Sequence, residues 1–290
     1  MGNRVIYIIG AGRSGTTLLD IILGNASDIF SAGELNRFTK RNGIPSNARD
    51  EAISDFWLSV SDQLKTESFN EPRRYLKLAH KFEYHTSFYQ FALSPYEKAE
   101  FKTYAGYQQA LFRSIAKNAE KYQGKNIIVD SSKYPLRALV LAKIFQKDIS
   151  FIYIKRDPSI VVESFQTKNI EQPAKSRMGA NIYLLAVNAL AVWAVKKLCK
   201  TNKVSVIRFD DLLSAPVAEL ERIEKDIGLD LGIPKQLIKQ KLPLKVGYLF
   251  DGNRLRLNEQ IVLREFTPSD NNSYTSKIFR SLHKLIWYQN

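Results

Sequence analysis

Four apolar runs, at 5–9, 126–130, 149–154 and 204–209, are rich in β-branched and aromatic residues and have the length of strands buried on both faces. Between them lie stretches in which apolar residues recur at helical spacing. Leu18, Leu19, Ile21, Ile22 and Leu23 give a helix beginning near Thr16 one apolar face. Residues 31–36 form a short polar segment that leaves a second strand or a turn. From 50 to 123 the chain reads as amphipathic helix, with Phe56, Trp57, Val60 and Leu64 in phase and then a dense aromatic set between Tyr75 and Phe101. Pro158 suits the first turn of another helix, where its missing N–H costs nothing. The run 182–195, interrupted by Asn188, predicts a buried helix too short to span a bilayer. Helices at 217–227 and 278–287 complete the pattern. Strands alternating with helices predict an α/β fold with a central, mainly parallel sheet flanked by helices and a helical insertion over about 50–123.

Composition bounds this picture. The chain's 290 residues, 44% of them apolar, suffice for the core of a single domain over 1–290. The one cysteine, Cys199, excludes an internal disulfide and, at the end of an apolar helical run, reads as a buried thiol in a reducing compartment. The first strand begins so close to Met1 that no signal peptide or anchor fits ahead of it, and Ile6 stands where a myristoylation signal needs Ser or Thr. A cytoplasmic protein without a transmembrane segment is expected. A formal charge of +14 favours anionic ligands, from nucleotides and phosphorylated or sulfated acceptors to membrane surfaces, without choosing among them. No RNA-binding signature or zinc-finger spacing occurs, so no nucleic-acid partner is expected.

The first strand–helix junction carries the chemistry. Gly10-Ala11-Gly12-Arg13-Ser14-Gly15-Thr16-Thr17 is a glycine-rich turn whose free N–H groups converge on a phosphate at the positive end of the following helix. Its spacing is that of G-x-x-x-x-G-K-[ST], but Thr16 stands where the phosphate-binding lysine would be, and the cation has moved to Arg13. The plain alternative is an ordinary glycine-rich turn. A basic residue followed by Ser-Gly-Thr-Thr after an N-terminal strand resembles the 5′-phosphosulfate loop of sulfotransferases that use 3′-phosphoadenosine 5′-phosphosulfate (PAPS).

Later segments extend the resemblance. Glu34 alone would read as a carboxylate capping a helix or pairing with Arg37, yet Gly33-Glu34 matches the pair that supplies the general base in the carbohydrate and tyrosine branches of that family. Asp130-Ser131-Ser132-Lys133-Tyr134-Pro135 leaves a strand at its carboxyl end, where open α/β sheets place ligands. It looks like the catalytic lysine segment, the alternative being a surface lysine in a turn. Arg156-Asp157-Pro158, with Ser164 two helical turns inside the next helix, is similar to the 3′-phosphate segment. Phe209-Asp210-Asp211-Leu212 is similar to the family's Tyr-Glu-Asp-Leu, with a ring for the purine but no hydroxyl. Gly252-Asn253-Arg254-Leu255-Arg256 looks like the late loop that folds over the nucleotide, with Arg256 the better candidate for the 3′-phosphate.

The resemblance covers 4–36 and 126–256. It implies a P-loop nucleotide-binding fold and transfer of a sulfuryl group from PAPS to a hydroxyl or amine, leaving adenosine 3′,5′-bisphosphate (PAP), without a metal. Glu34 is then the base, with Lys133 and Arg13 as catalytic cations. The backbone N–H groups of Ser14, Gly15, Thr16 and Thr17 and the two threonine hydroxyls hold the 5′-phosphate; Arg156 and Ser164 hold the 3′-phosphate. Phe209, Gly252, Asn253, Arg254 and Arg256 complete the nucleotide site. No motif names the acceptor, a small molecule, glycan or lipid; Tyr84, Phe88, Tyr89, Phe91 and Tyr96 either line its pocket or fill the core. His80 and His85 miss the i, i+4 spacing of a helical metal pair. The rivals are a P-loop kinase, which would need Mg²⁺ and a carboxylate arrangement not visible here, and a non-catalytic polyanion-binding protein.

Overall fold

The computed structural model describes residues 4–46, 48–84, 99–166, 174–263 and 277–287. β1 (Val5–Gly10), β2 (Ile29–Ser31), β3 (Ile127–Lys133), β4 (Ile149–Lys155) and β5 (Val204–Arg208) form one parallel sheet in the order β2-β3-β1-β4-β5. Parallel neighbours need crossovers, and helices supply them. α1 (Thr16–Gly24) follows β1; α2 (Glu51–Thr66), α3 (Pro72–Glu83) and α4 (Ala99–Gln123) lie between β2 and β3; α5 (Pro135–Phe145) joins β3 to β4. α6 (Pro158–Gln166) and α7 (Arg177–Leu198) lead to β5. Then come α8 (Phe209–Ser214), α9 (Pro216–Ile227) and α10 (Gly232–Lys239), the antiparallel pair β6 (Leu244–Lys245) and β7 (Gln260–Ile261), and α11 (Lys277–Trp287). This is the expected α/β architecture, with β1 central between β3 and β4.

β1 is buried along its length, and the pleat sorts its side chains between two cores. Val5, Tyr7 and Ile9 face one shared with Phe56, Trp57, Phe82, Tyr104, Leu141 and Val195. Ile6 and Ile8 face the other, with Leu19 and Ile22 of α1 and Ile223 and Ile227 of α9. A continuous apolar run is therefore what this strand needs, since neither face meets water. Phe56, Trp57, Val60 and Leu64 are all buried, as their spacing predicts. Asp50 caps α2 by accepting from Ile53 N at 3.0 Å, which satisfies one of the donors a helix start leaves open.

Several expectations are corrected. β3 runs on to Lys133, so Ser131, Ser132 and Lys133 belong to the strand rather than follow it. α7 exceeds the run that predicted it: its 22 residues, with a mean hydropathy of 1.7 over the most apolar window, are long and apolar enough to cross a membrane, although half of that window is buried. Cys199 is exposed, because α7 has ended and the side chain leaves the packed face. Tyr75, Phe82 and Phe101 are core, whereas Phe88, Tyr89, Phe91, Tyr96 and His85 lie outside the described residues.

Candidate active site

Every strand of the sheet hands one segment to the same cleft at the carboxyl edge, on both sides of the point where the strand order reverses. The cleft, about 240 Å³, is lined by Gly12, Arg13, Gly15, Thr16 and Thr17 after β1, Glu34 after β2, Lys133 at the end of β3, Arg156 after β4 with Ser164 on α6, and Phe209 after β5. Leu18, Asn253 and Leu255 complete the wall.

The glycine-rich turn leaves β1 tightly, with Arg13 at φ 67° and Gly15 at φ 90°. Gly15 is required twice over: its backbone lies in the left-handed region, and a Cβ there would sit 2.1 Å from the Phe209 ring. α1 begins at the next residue, and no side chain caps it. The first-turn N–H groups, which have no acceptor within a helix, are thus presented at the cleft with the positive end of the helix dipole. Ser14 is the exception within the turn, since its N–H already donates to Ala11 O at 3.3 Å and its side chain is buried away from the cleft wall.

Arg13, Arg156, Ser164 and Phe209 form one cluster. Arg13 Nη1 donates to the Ser164 carbonyl and lies 3.2 Å from its Oγ, with the guanidinium 5.1 Å from the Phe165 ring centroid. Arg156 Nη1 donates to Arg13 O at 2.9 Å and its guanidinium stands 4.6 Å over Phe209. Burial lowers the Arg156 pKa against the influence of Asp210 and Asp157, and its buried Nε has no hydrogen-bond partner among the described residues. The sequence reading groups Arg13 with Lys133; the fold places its guanidinium with the pair expected to hold the 3′-phosphate.

Glu34 and Lys133 form the second cluster. Lys133 Nζ donates to Glu34 Oε1, and Arg37 Nε sits 2.9 Å from Oε2, so Glu34 makes the pairing its bland reading foresaw and a second one to Lys133 that the sequence did not announce. Burial pushes its pKa up, but the Lys133 and Arg37 charges prevail and hold the carboxyl below its ordinary value. Both residues sit on constrained backbone. Gly33 (φ 75°) passes so close to the 250–251 segment that a Cβ would lie 2.6 Å from Asp251 O. Lys133 takes φ 66° where the β1–β3 register shifts, a conformation costly for a residue with a Cβ and held here by its surroundings. Ser132 Oγ accepts from Asn36 N at 2.9 Å, and Asp130 accepts from Ser132 N. Behind them Arg137, fully buried, bridges Asp130 and Glu83, tying the insertion helix α3 to β3.

The late loop is brought in only in part. Asn253 N donates to Thr17 Oγ1 at 3.3 Å, and Gly252 lies against the same side chain. Arg254 is exposed and off the cleft wall. Arg256 is buried behind that wall, where its Nη2 donates to Ser46 O and Oγ at 2.9 and 2.7 Å near Asp251, and its charge helps hold the Glu34 carboxyl below its ordinary pKa.

One residue the motif reading passed over underlies both halves of the second cluster. Asp20, inside α1 with no exposed surface, accepts from Ser31 Oγ, from Gly33 N at 3.1 Å and from Ser131 Oγ at 2.6 Å. A single carboxyl group thereby joins the turn that carries Glu34 to the strand that carries Lys133. Burial raises its pKa to about 7, opposed by those hydrogen bonds and assisted by Asp130. The signal was available: a lone acid on a helix otherwise apolar from Leu18 to Leu23. Among the described residues, no three His, Cys, Asp or Glu side chains are grouped to hold a metal ion.

Comparison with known proteins places this cleft in a family. No curated protein matches in sequence. Among solved structures, the sulfotransferase domain from the curacin biosynthetic pathway shares the fold, with a TM-score of 0.52 at 14% identity over 100% of this chain and 99% of that one. The sulfotransferase domain from the Synechococcus PCC 7002 olefin synthase gives 0.48 at 16% identity over 100% and 96%. Sulfotransferase STF1 from Mycobacterium tuberculosis H37Rv gives 0.49 at 14% over 81% and 70%. The sequence profile of the Sulfotransferase family matches residues 5–232, a span that contains all five strands and every cleft segment but the late loop, and the chain therefore belongs to the sulfotransferase family.

Proposed function

We propose that this protein transfers the sulfuryl group of PAPS to a hydroxyl or amine of a small-molecule, glycan or lipid acceptor. The observation that carries the reading is the sharing of one cleft by three parts: an uncapped helix terminus, a half-buried Arg156 whose Nε has no hydrogen-bond partner among the described residues, and a buried Lys–Glu pair. The N–H groups of the first α1 turn and the Thr16 and Thr17 hydroxyls hold the 5′-phosphate. Arg156, Arg13 and Ser164 hold the 3′-phosphate, whose charge compensates the two half-buried guanidinium groups. Phe209 supports Arg156 and covers Gly15.

PAPS supplies an activated sulfuryl group, and positioning and charge are what the protein adds. Glu34 accepts the acceptor's proton as the new bond to sulfur forms. Lys133 meets the negative charge that develops on the departing 5′-phosphate oxygen. The ion pair links these roles. While Lys133 rests on Glu34 the carboxylate is ionised but a weak base; once Lys133 turns to the phosphate, Glu34 loses its nearest cation and its proton affinity rises. Nucleotide loading thus primes the base.

Calorimetric titration with PAP, 5′-AMP and ATP tests the reading. PAP should bind more tightly than AMP, because AMP forgoes the charge-assisted hydrogen bonds that Arg156 can give a 3′-phosphate, worth about 1.5–3 kcal/mol each. Tighter binding of ATP than of PAP overturns the proposal in favour of a kinase.

A further inference from the structure

Next to the Glu34 turn lies a second carboxyl group, that of Asp251, which the proposed reaction leaves unused. It has no exposed surface. Its Oδ2 accepts from Arg41 Nε at 2.6 Å, with Arg37 Nη1 3.7 Å away. Its Oδ1 accepts from Ser46 Oγ at 2.6 Å and from Ser46 N at 3.4 Å, with Arg256 Nη2 3.7 Å away. Three arginines from two separate segments thus gather round one buried acid. One cation with the Ser46 bonds would already pair its charge.

Arg37 belongs to both acids. Its Nε is 2.9 Å from Glu34 Oε2, while its Nη1 reaches toward Asp251. The backbone makes a second link. Glu34 N donates to Asp251 O at 3.2 Å and Phe250 N donates to Ala32 O at 3.0 Å, so the turn that carries Glu34 is laid along 250–251. Two residues further on, Asn253 N reaches Thr17 Oγ1. Together the two acids face four cations, Lys133, Arg37, Arg41 and Arg256. A nucleotide phosphate draws Lys133 away, but Arg37 stays. The proton affinity of Glu34 in the loaded site then depends on how far Arg37 is shared with the neighbouring acid.

We propose that Asp251 is a positioning residue for the base: its carboxylate shares Arg37 with Glu34 and compensates Arg41 and Arg256, and its carbonyl fixes the turn from which Glu34 projects. This role deepens the reading of Glu34 as the base and rests on it. Without Asp251 the arginine charges act on Glu34 alone, leaving it ionised but a poor acceptor of a proton.

Carbon-13 NMR of the full chain, labelled at its glutamate carboxyl groups, reads the Glu34 titration directly, since its signal is the one lost in Glu34→Gln. The titration runs from about pH 3 to 8 without nucleotide. The charged groups that face Glu34 are Lys133, Arg37 and Arg256; the phenols of Tyr134 and Tyr183, whose pKa values burial raises, stay neutral beside it. Asp20, which holds Gly33 N and titrates at about 7, adds the same second step in every protein compared. Asp251→Asn should move the Glu34 midpoint down by about one pH unit.

Because Asp251 is fully buried, a second variant carries the test should the first not fold. Arg41, with a side chain 35% exposed, touches Asp251. In Arg41→Gln the acid takes a larger share of Arg37, and the Glu34 midpoint should move up. Arg49→Gln, an equal loss of charge at a residue bonded instead to Asp50 and Asn258 O, should leave the midpoint in place. An unmoved midpoint in Asp251→Asn or in Arg41→Gln overturns the proposal. So does a shift in Arg49→Gln as large as that in Arg41→Gln, which would show a response to net charge alone. PAP titration tests the nucleotide reading separately, so that reading can fail while the Glu34 midpoint still follows Asp251.

Discussion

Replacing Asp20 with Asn should change how stability depends on pH, with a sign set by the burial of its carboxyl group. Desolvation lifts the Asp20 pKa from 3.8 to about 7, against the hydrogen bonds from Ser131, Ser31 and Gly33 and with the help of Asp130. Between those values the folded protein keeps a proton that the unfolded chain has released. The stability from this group is therefore complete below the unfolded pKa and is lost as pH rises through about 7. The interval from 3.8 to about 7, at ~1.4 kcal/mol per pH unit, corresponds to ~4 kcal/mol. Asn does not titrate, and its Nδ2 cannot accept from Ser131 and Gly33, so a pH-independent cost of about 1–3 kcal/mol is added at every pH. The readout is consequently the slope. Urea unfolding of both proteins in steps from about pH 4 to 8 should show the variant gaining on the unmutated protein by several kcal/mol as pH rises. Glu83 and Asp210, whose pKa values burial also raises, titrate in both proteins and cancel in the difference. Parallel curves would refute the argument, showing Asp20 ionised throughout and held so by its three donors.

Glu34→Gln should lower turnover ~10²- to 10⁴-fold on an acceptor identified by mass spectrometry of a metabolite extract incubated with PAPS. PAP affinity should not weaken, since Lys133 loses an anion that competes with phosphate; near-normal turnover would move the base elsewhere. Arg156→Ala should bring PAP binding down toward that of AMP while AMP binding hardly changes, as read by calorimetry of both proteins, and an undiminished preference for PAP would assign the 3′-phosphate to other residues. Gly15→Ala should destabilise by at least about 1–3 kcal/mol from the collision with the Phe209 ring. Adding Phe209→Ala should relieve the collision but not the cost of φ 90°, so full recovery of the melting temperature would show that the backbone there is unstrained.

Much of the cleft was legible before any fold was known, because its residues sit in contiguous segments at strand ends. Gly10–Thr17, Gly33-Glu34 and Arg156-Asp157-Pro158 each announce a strand stopping and a polar turn beginning, Ser131–Lys133 mark the polar end of β3 itself, and the parallel sheet delivers all of them to one edge. The less legible residues act across the chain. Asp20 meets Ser31, Gly33 and Ser131 through hydrogen bonds between three separate segments. Arg13 was grouped with the catalytic lysine by motif but reaches Ser164, 151 positions away. Arg256 kept its expected place in the loop, yet its guanidinium turns to Ser46, in a segment no motif marked.

What the sequence determined by itself was therefore the strands, the helices and the inventory of groups at their ends. Hydrophobic period and glycine placement act over a few neighbouring residues and are written in the order of those residues. What only the tertiary structure decided was the direction each long side chain takes and the charge it meets: the pairing of Lys133 with Glu34, the grip of Asp20 on two loops, and the gathering of three arginines round the buried Asp251. Direction, partner and exposure depend on which distant segments the fold lays alongside, and a side chain's own sequence neighbours carry no record of them.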